Sequence, residues 1–352
     1  MGKLPQAMNI LALTCAELAA EMSRRYGKGL HHARALYREV FQHGRTSPEE
    51  APEFAEAQAL ARQLAAVLQW PSCRIVARRE DDGVVKFISA LADGRRVESV
   101  VIPARGRTTL CVSSQVGCRM GCRFCATGAM GFARNLAAEE IVWQVYAARF
   151  QLGRQIDNVV FMGMGEPLDN LDPVAQAVRV IADQRGLNIA LRHVTLSTAG
   201  HADGIRRLAA LDLPTLRLAV SLNATEDGLR SRLMPINRKY PLARLREELL
   251  AFPLGRRGTI LIEYVLLAGV NDARTDAHNL AAYLKGLPVR VNVIAYNGGG
   301  SGNYAAPDAA QVRRFCHWLD EKHIFVRLRQ SRGHGASAAC GELGLLAPEA
   351  PE

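Results

Sequence analysis

No window of this 352-residue chain approaches the roughly 18 consecutive apolar residues that a membrane-spanning helix needs. The opening Met-Gly-Lys-Leu-Pro-Gln lacks a charged region followed by an unbroken apolar stretch, so the cytoplasm is the expected compartment and no membrane is expected as a partner. A second C-x2-C pair is also missing, which removes the usual frame of a structural zinc site. Eight cysteines in a chain of this size then point to metal or redox chemistry in a reducing compartment, not to a secreted disulfide framework. Acidic residues are outnumbered, 34 against 44 Lys+Arg, for a net charge of +10. Polyanion binding is the natural hypothesis, and a solubilising surface is the bland alternative.

What is present is more specific. The run Cys118-Arg-Met-Gly-Cys122-Arg-Phe-Cys125 supplies three thiolates and no fourth. A cubane [4Fe–4S] cluster takes four ligands, usually all cysteine, so this loop would leave one iron open to bind and reduce something. That is the layout of a radical S-adenosylmethionine (SAM) enzyme. Zinc and a chance cluster of buried cysteines fit less well, because Gly117, Gly121 and Gly128 punctuate the run as a loop.

Residues 10–70 carry apolar side chains at helical spacing, as in Ala33, Leu36, Tyr37, Val40 and Phe41, and predict a small helical domain closed by Pro71 and the Asp81-Asp82-Gly83 turn. Two alternating runs, 84–91 and 97–102, flank Asp93-Gly94 and predict a β-hairpin. From residue 107 the pattern becomes strand, loop, helix, repeated. Candidate strands are 108–113, 158–162, 193–197, 216–222, 260–266, 289–295 and 325–329, with helix-length stretches such as 137–151, 172–185, 274–285 and 307–321 between them. Such βα units predict a parallel sheet, open or curled into a barrel. The unusual residues fall at the carboxyl ends of these strands. The cysteine loop follows the first and Gly163-Met164-Gly165-Glu166-Pro167 the second; Ser197 ends the third, Ser221-Leu222-Asn223 the fourth, and Asn297 follows the sixth. Parallel α/β folds build their sites on that face. In the second loop, glycine lets backbone approach a ligand and Glu166 can pair with the ammonium of SAM. Ser197, Ser221 and Asn223 serve equally as ligand hydrogen-bonders or helix caps. Cys111 lies inside the first strand and Cys340 beyond the last, and both could face one cavity. Cys15, Cys73 and Cys316 are assigned no role.

Several long motifs, in order, carry a resemblance. Arg107-Thr-Thr-Leu-Cys111-Val-Ser-Ser-Gln-Val-Gly-Cys118, Cys125-Ala-Thr-Gly128, Gly131-Phe-Ala-Arg-Asn-Leu136, Met162-Gly-Met-Gly-Glu-Pro-Leu168 and Ala338-Ala-Cys-Gly341 together resemble the RlmN/Cfr family of radical SAM adenosine methyltransferases. The resemblance implies an α/β fold, a partial (β/α)6 barrel over residues 104–345, with an N-terminal helical, RNA-docking domain (1–76) and a β-hairpin extension (77–103). It implies a [4Fe–4S] cluster held by Cys118, Cys122 and Cys125, and SAM contacts at Gly165, Glu166, Ser197, Ser221, Leu222, Asn223 and Asn297.

Two SAM molecules are implied per turnover: one methylates Cys340, and the other, cleaved reductively, yields the radical that takes hydrogen from that methyl group. The carbon radical adds to an adenine ring carbon, Glu98 in the hairpin accepts the proton that leaves, and Cys111 resolves the adduct by forming a disulfide with Cys340. Electrons come from an external donor such as flavodoxin or ferredoxin, the protein is expected as a monomer, and the substrate is 23S rRNA, tRNA or both.

RNA backbone contacts would come from two basic groups. One is Arg230, Arg232, Arg238, Lys239, Arg244, Arg246, Arg256 and Arg257, opposed by Glu247 and Glu248; the other is Arg24, Arg25, Lys28, Arg34 and Arg38. The target adenine must be unstacked to enter the cavity. The chain departs from the family at His334 to Ser337, where an acidic, Asp-Ile-containing stretch is usual, and at Glu342, where Gln is usual. C2 of adenine remains the first expectation and C8 the rival, ahead of a radical SAM enzyme with a non-RNA substrate and of a non-catalytic iron–sulfur or zinc module.

Overall fold

The computed structural model describes residues 7–104, 106–255, 258–298, 304–329 and 342–343. Ten strands form one sheet: β1 (Arg74–Asp81), β2 (Val84–Ala90), β3 (Arg96–Ala104), β4 (Arg107–Cys111), β5 (Asn158–Phe161), β6 (Val194–Thr198), β7 (Arg217–Ser221), β8 (Ile260–Leu266), β9 (Val289–Ala295) and β10 (Val326–Arg329). Strands neighbour one another in chain order across the whole sheet. β1 to β4 are antiparallel and β4 to β10 are parallel. β4 is therefore the seam, with Cys111 opposite Val100 of β3 on one side and Val160 of β5 on the other.

Parallel neighbours need a crossover, and helices supply it: Ala138–Tyr146, Leu171–Ala182, Ala202–Ala209, Leu242–Ala251, Arg274–Leu284 and Ala309–Asp320. Each hides an apolar stripe against strands that are themselves apolar, such as Ile260, Ile262, Tyr264 and Leu266 of β8, all fully buried. This is the α/β architecture expected of the sequence.

The N-terminal helices Cys15–Tyr26, Leu30–Arg38 and Gln58–Val67 share that core, through Leu18, Met22, Leu36, Tyr37 and Phe41. The first starts at a reciprocal cap between Thr14 and Glu17. Cross-links hold the helices to the barrel: Asp183 accepts from the Cys15 amide at 2.8 Å, Gln176 donates to the Ala12 carbonyl at 2.9 Å, and Tyr146 donates to that of Gly44 at 2.8 Å.

One element differs from expectation. Pro71 does stand where the helical part ends, between Gln69 and Arg74, but the Asp81-Asp82-Gly83 turn does not close it. The turn is the tip of a hairpin between β1 and β2, so the extension has three antiparallel strands that continue the main sheet. β1 is the edge strand with alternate residues exposed, and its arginines and acids mask the period of two.

Candidate active site

The cysteine loop is shaped before any ligand enters. A short ribbon pairs Gln115–Gly117 with Phe132–Asn135, closing residues 118–131 into a lobe. Gly117 has φ +74°, and a Cβ there would sit 2.0 Å from the Gly131 carbonyl oxygen, which accepts from the Cys118 amide at 2.7 Å. Only glycine fits this crossing. After Cys125 a helical turn, Ala126–Ala129, carries Thr127, whose hydroxyl donates to the Leu343 carbonyl at 2.8 Å.

Cys118, Cys122 and Cys125 line one cavity with Gly163, Gly165 and Glu166 after β5, Ser197 to Ala199 at β6, Ser221 and Asn223 at β7, Glu263 of β8 and Arg329 of β10. The strand ends thus bring together eight of the anticipated residues: the three cysteines, Gly165, Glu166, Ser197, Ser221 and Asn223. Leu222 and Asn297 are not part of the lining. Leu222 is fully buried and contributes its carbonyl to the Arg230 Nε at 3.0 Å. Cys340 lies outside the described residues.

Burial pushes the Cys118 thiol up to about 12 and the Cys122 thiol well above its ordinary range, with Glu166 and the neighbouring cysteines adding to both. Such thiols ligate when a metal's charge displaces their protons. Among the described residues no three His, Cys, Asp or Glu converge on a point for a single metal ion. A cubane spreads its thiolates one to each iron, and three soft donors with no fourth fit it.

Glu166 is more constrained than its loop suggested. Its Oε1 accepts from the Leu168 amide at 3.1 Å and its Oε2 from the Ala199 amide at 2.7 Å, so it also ties the loop after β5 to the loop after β6. Burial raises its pKa to about 7, against the lowering effect of these two amides and the Thr198 hydroxyl. At Gly165, φ is +100° and an added Cβ would fall 2.5 Å from the Gln115 Cβ. Gln115 in turn accepts from the Glu166 amide at 2.9 Å, seating this loop on the stem of the cysteine lobe. Asn223 sits at φ +58° and accepts from the Val265 amide at 2.8 Å, locking β7 to β8 at the cavity wall.

Glu98 is buried rather than solvent-facing and lies 2.7 Å from the ammonium of Lys86, itself fully buried. Alternate residues share a face and Cys111 stands opposite Val100, so Glu98, Val100 and Cys111 share one face of the sheet. The Ser113 hydroxyl donates to the Glu98 carbonyl at 2.6 Å and accepts from the Met164 amide at 2.9 Å, fixing the hairpin against the cavity loops.

Two side chains that line the cavity, Glu263 and Arg329, went unnoticed in the sequence, as did Asn292, which bonds the first. Glu263 is buried, its Oε1 accepts from Asn292 at 2.8 Å, and its Oε2 lies 3.6 Å from the Arg329 guanidinium. Burial raises the Glu263 pKa and Arg329 opposes the shift. A carboxylate inside the run Ile260-Leu-Ile-Glu263-Tyr-Val-Leu266 was the available signal.

The basic groups need correction. Arg230 is fully buried. Arg24 and Arg25 pair with Glu21, Arg38 with Glu39 and Glu53, and Arg244 with Glu247, Glu248 and Asp203. Arg256 and Arg257 lie outside the described residues. Of the described members of the two groups, Arg24, Arg25, Arg38 and Arg244 are thus ion-paired and Arg230 is not at the surface. Among the described residues no helix is long and apolar enough to cross a membrane.

A three-cysteine loop on the carboxyl face of a parallel α/β barrel defines a radical SAM enzyme, and residues 112–281 match the Radical SAM superfamily. The chain is 42% identical over 343 residues to the dual-specificity RNA methyltransferase RlmN of Geotalea uraniireducens, covering 96% of this chain and 97% of that one. It is 44% identical over 323 residues to the corresponding protein of Geobacter sulfurreducens, covering 90% and 87%. A radical SAM methyltransferase from Sphaerobacter thermophilus superposes with a TM-score of 0.87 at 36% identity, over 97% of this chain and 99% of that one. The chain belongs to the RlmN family of radical SAM RNA methyltransferases, whose cofactors are a [4Fe–4S] cluster and SAM.

Proposed function

We propose that the chain methylates adenosine at C2 in 23S rRNA and tRNA, by way of a methyl group carried on Cys340. The observation that carries this reading is the convergence of the cysteine loop and the Glu166 loop on one cavity, beside the sheet face that holds Cys111 and Glu98. When bound, the cluster and SAM supply a one-electron reductive cleavage and the methyl group. Cys118, Cys122 and Cys125 hold the cluster. Gly165 and Glu166 receive the amino end of SAM, with Ser197, Ser221, Leu222, Asn223 and Asn297 around the rest. Cys340 carries the methyl carbon to adenine, Glu98 accepts the proton released from the adduct carbon, and Cys111 closes a disulfide with Cys340 to free the product. Anchorage of the Leu343 carbonyl by Thr127 supports this placement, because it pins the chain three residues beyond Cys340 next to the helical turn that follows Cys125.

Two SAM molecules are used per turnover. The enzyme works as a cytoplasmic monomer and draws its electrons from a low-potential donor of the flavodoxin or ferredoxin kind. Adenine enters unstacked from the RNA. The altered segment at His334 to Ser337 and Glu342 favours keeping C8 as the second reading, and mass spectrometry with NMR of the modified nucleoside separates the two. The test of the mechanism is Cys111→Ala. A covalent protein–RNA species that disappears when Cys340 is also replaced is expected on a denaturing gel; free product at the wild-type rate removes Cys111 from its role.

A further inference from the structure

Arg230, on the short helix Asp227–Leu233, is a fully buried cation, and among the described residues no carboxylate comes within ion-pair distance of it. Its donors meet neutral acceptors instead. Nε donates to the Leu222 carbonyl at 3.0 Å, Nη1 to Asn237 Oδ1 at 2.8 Å, and Nη2 to the Ala199 and Ser221 carbonyls at 2.8 and 3.2 Å. Neutral acceptors satisfy the N–H groups but put no counter-charge in contact, Asp227 reaching Arg230 only through Asn237, and a buried charge so placed costs several kcal/mol.

The helix sits directly beneath the cysteine loop. The Leu233 carbonyl accepts from the Arg123 amide at 3.0 Å, and Leu233 and Met234 pack with Cys118, Cys122 and Cys125. Gly200 passes so close over the guanidinium that an added Cβ would lie 2.8 Å from Nη2. Burial lowers the Arg230 pKa, opposed by Tyr283, Cys122 and Asp227, and Arg230 in turn lowers the pKa of Cys122.

We propose that Arg230 is the counter-charge of the cysteine loop and makes the cluster held there easier to reduce. The inference rests on Cys118, Cys122 and Cys125 being the cluster ligands. An external low-potential flavin or iron–sulfur donor is oxidised by one electron, and the cluster, reduced by that electron, gains one negative charge. A fixed positive charge in a low-dielectric interior favours the reduced form, and net charge is one of the levers on cluster potential. A merely structural strap between the loops after β6 and β7 would need the donors, not the charge.

The experiment separates the two. Wild type, Arg230→Gln, Arg230→Lys and the double variant Asp227→Asn with Asn237→Asp are reconstituted without oxygen, assayed for iron and sulfide, and titrated by EPR-monitored redox potentiometry without SAM. The double variant keeps Arg230, reverses the 2.8 Å bond between Asn237 Nδ2 and Asp227 Oδ1 and lays a carboxylate on Nη1, while the Leu242 amide, which donates to the same Oδ1 at 2.9 Å, must turn to the other terminal atom of the side chain at 227. Arg230→Gln and the double variant are expected to lower the reduced-to-oxidised ratio at fixed poise by about tenfold or more, about 59 mV for a one-electron couple. Arg230→Lys stays close to wild type. Unchanged potentials at full iron content overturn the proposal, as does an equal shift in the Lys and Gln variants. If Arg230→Gln does not fold, the double variant decides. Wild type that takes up no iron and sulfide overturns the cluster assignment itself, a different outcome from an unmoved potential.

Discussion

Lowering the pH from 8 to 6 should weaken SAM binding about tenfold, because Glu166 titrates near the middle of that interval. With a pKa of about 7, raised by burial, the carboxyl is about nine-tenths charged at pH 8 and about one-tenth charged at pH 6. If the charged form is the one that receives the amino end of SAM, the apparent Kd rises in that proportion, about 1.4 kcal/mol. The ligand-free protein should respond with the opposite sign. The folded pKa lies above the ordinary carboxyl value of 4.5, so folding favours the protonated carboxyl. The resulting penalty is absent below pH 4.5, grows as pH rises to about 7 and is then constant, about 3 kcal/mol in all. Equilibrium dialysis of SAM against oxidised, reconstituted protein gives the first quantity, and urea unfolding of apoprotein across the same pH range gives the second. SAM also titrates, so the informative measure is the difference in slope between wild type and Glu166→Gln. Glu166→Gln also turns one acceptor towards a backbone N–H as a donor, at about 1–3 kcal/mol, which is why the slope and not the affinity is compared. Identical pH profiles for the two proteins would refute the role given to Glu166.

Lys86→Met takes the ammonium away from a buried carboxylate and is expected to cost about 3–5 kcal/mol in denaturant unfolding, with Glu98→Gln in the same chain recovering part of it; strictly additive costs would show the pair is uncoupled. Gly117→Ala must move backbone, since its Cβ meets the Gly131 carbonyl oxygen at 2.0 Å, and iron uptake on reconstitution should fall severalfold while far-UV circular dichroism is retained. Undiminished iron in that variant means the ribbon does not shape the cysteine loop. Affinity for a folded RNA fragment should fall by about a thousandfold between 50 and 200 mM salt if about six phosphates are contacted, and a flat response takes the cationic surface out of RNA binding.

The parallel sheet was legible because most of its strands are short apolar runs set between helix-length stretches, β4 and β10 being the more polar ones, and the sheet follows chain order without exception. The cavity loops were legible because glycine and cysteine mark places where backbone must come close, as at Gly117 and Gly165. β1 escaped because an edge strand exposes alternate side chains, so Arg74, Arg78 and Glu80 break up its apolar pattern. Arg230 was misread as surface because composition records a charge and not its depth. Lys86 within Val84-Val-Lys86-Phe-Ile and Glu98 within Val97-Glu98-Ser-Val-Val were visible as charges in apolar strands, yet their pairing depends on the register of β2 on β3, which fixes which residues share a face.

Depth also separates the charges that hold the fold from those at the cavity. Glu39 is buried, but Arg38 and Arg45 reach it from the surface at 3.2 and 3.1 Å, and Arg244 does the same for Glu248. At the cavity the compensation is different in kind. Glu166 is held by backbone amides, Glu263 by an amide side chain at 2.8 Å and a guanidinium at 3.6 Å, and Arg230 by carbonyls and Asn237. Hydrogen bonds of that sort fix direction while leaving net charge in a poorly solvated place, an arrangement that costs stability and persists where chemistry uses it. Glu166 lines the cavity without a cation in ion-pair contact among the described residues, Glu263 lines it with Arg329 beside it, and Arg230 lies behind Gly200 on the helix that backs the cysteine loop. A fold selected for stability alone would replace Glu166 and Arg230 with apolar side chains of similar volume, so buried charges kept on either side of the cysteine loop are what the proposed binding of a cationic cofactor beside an anionic cluster requires.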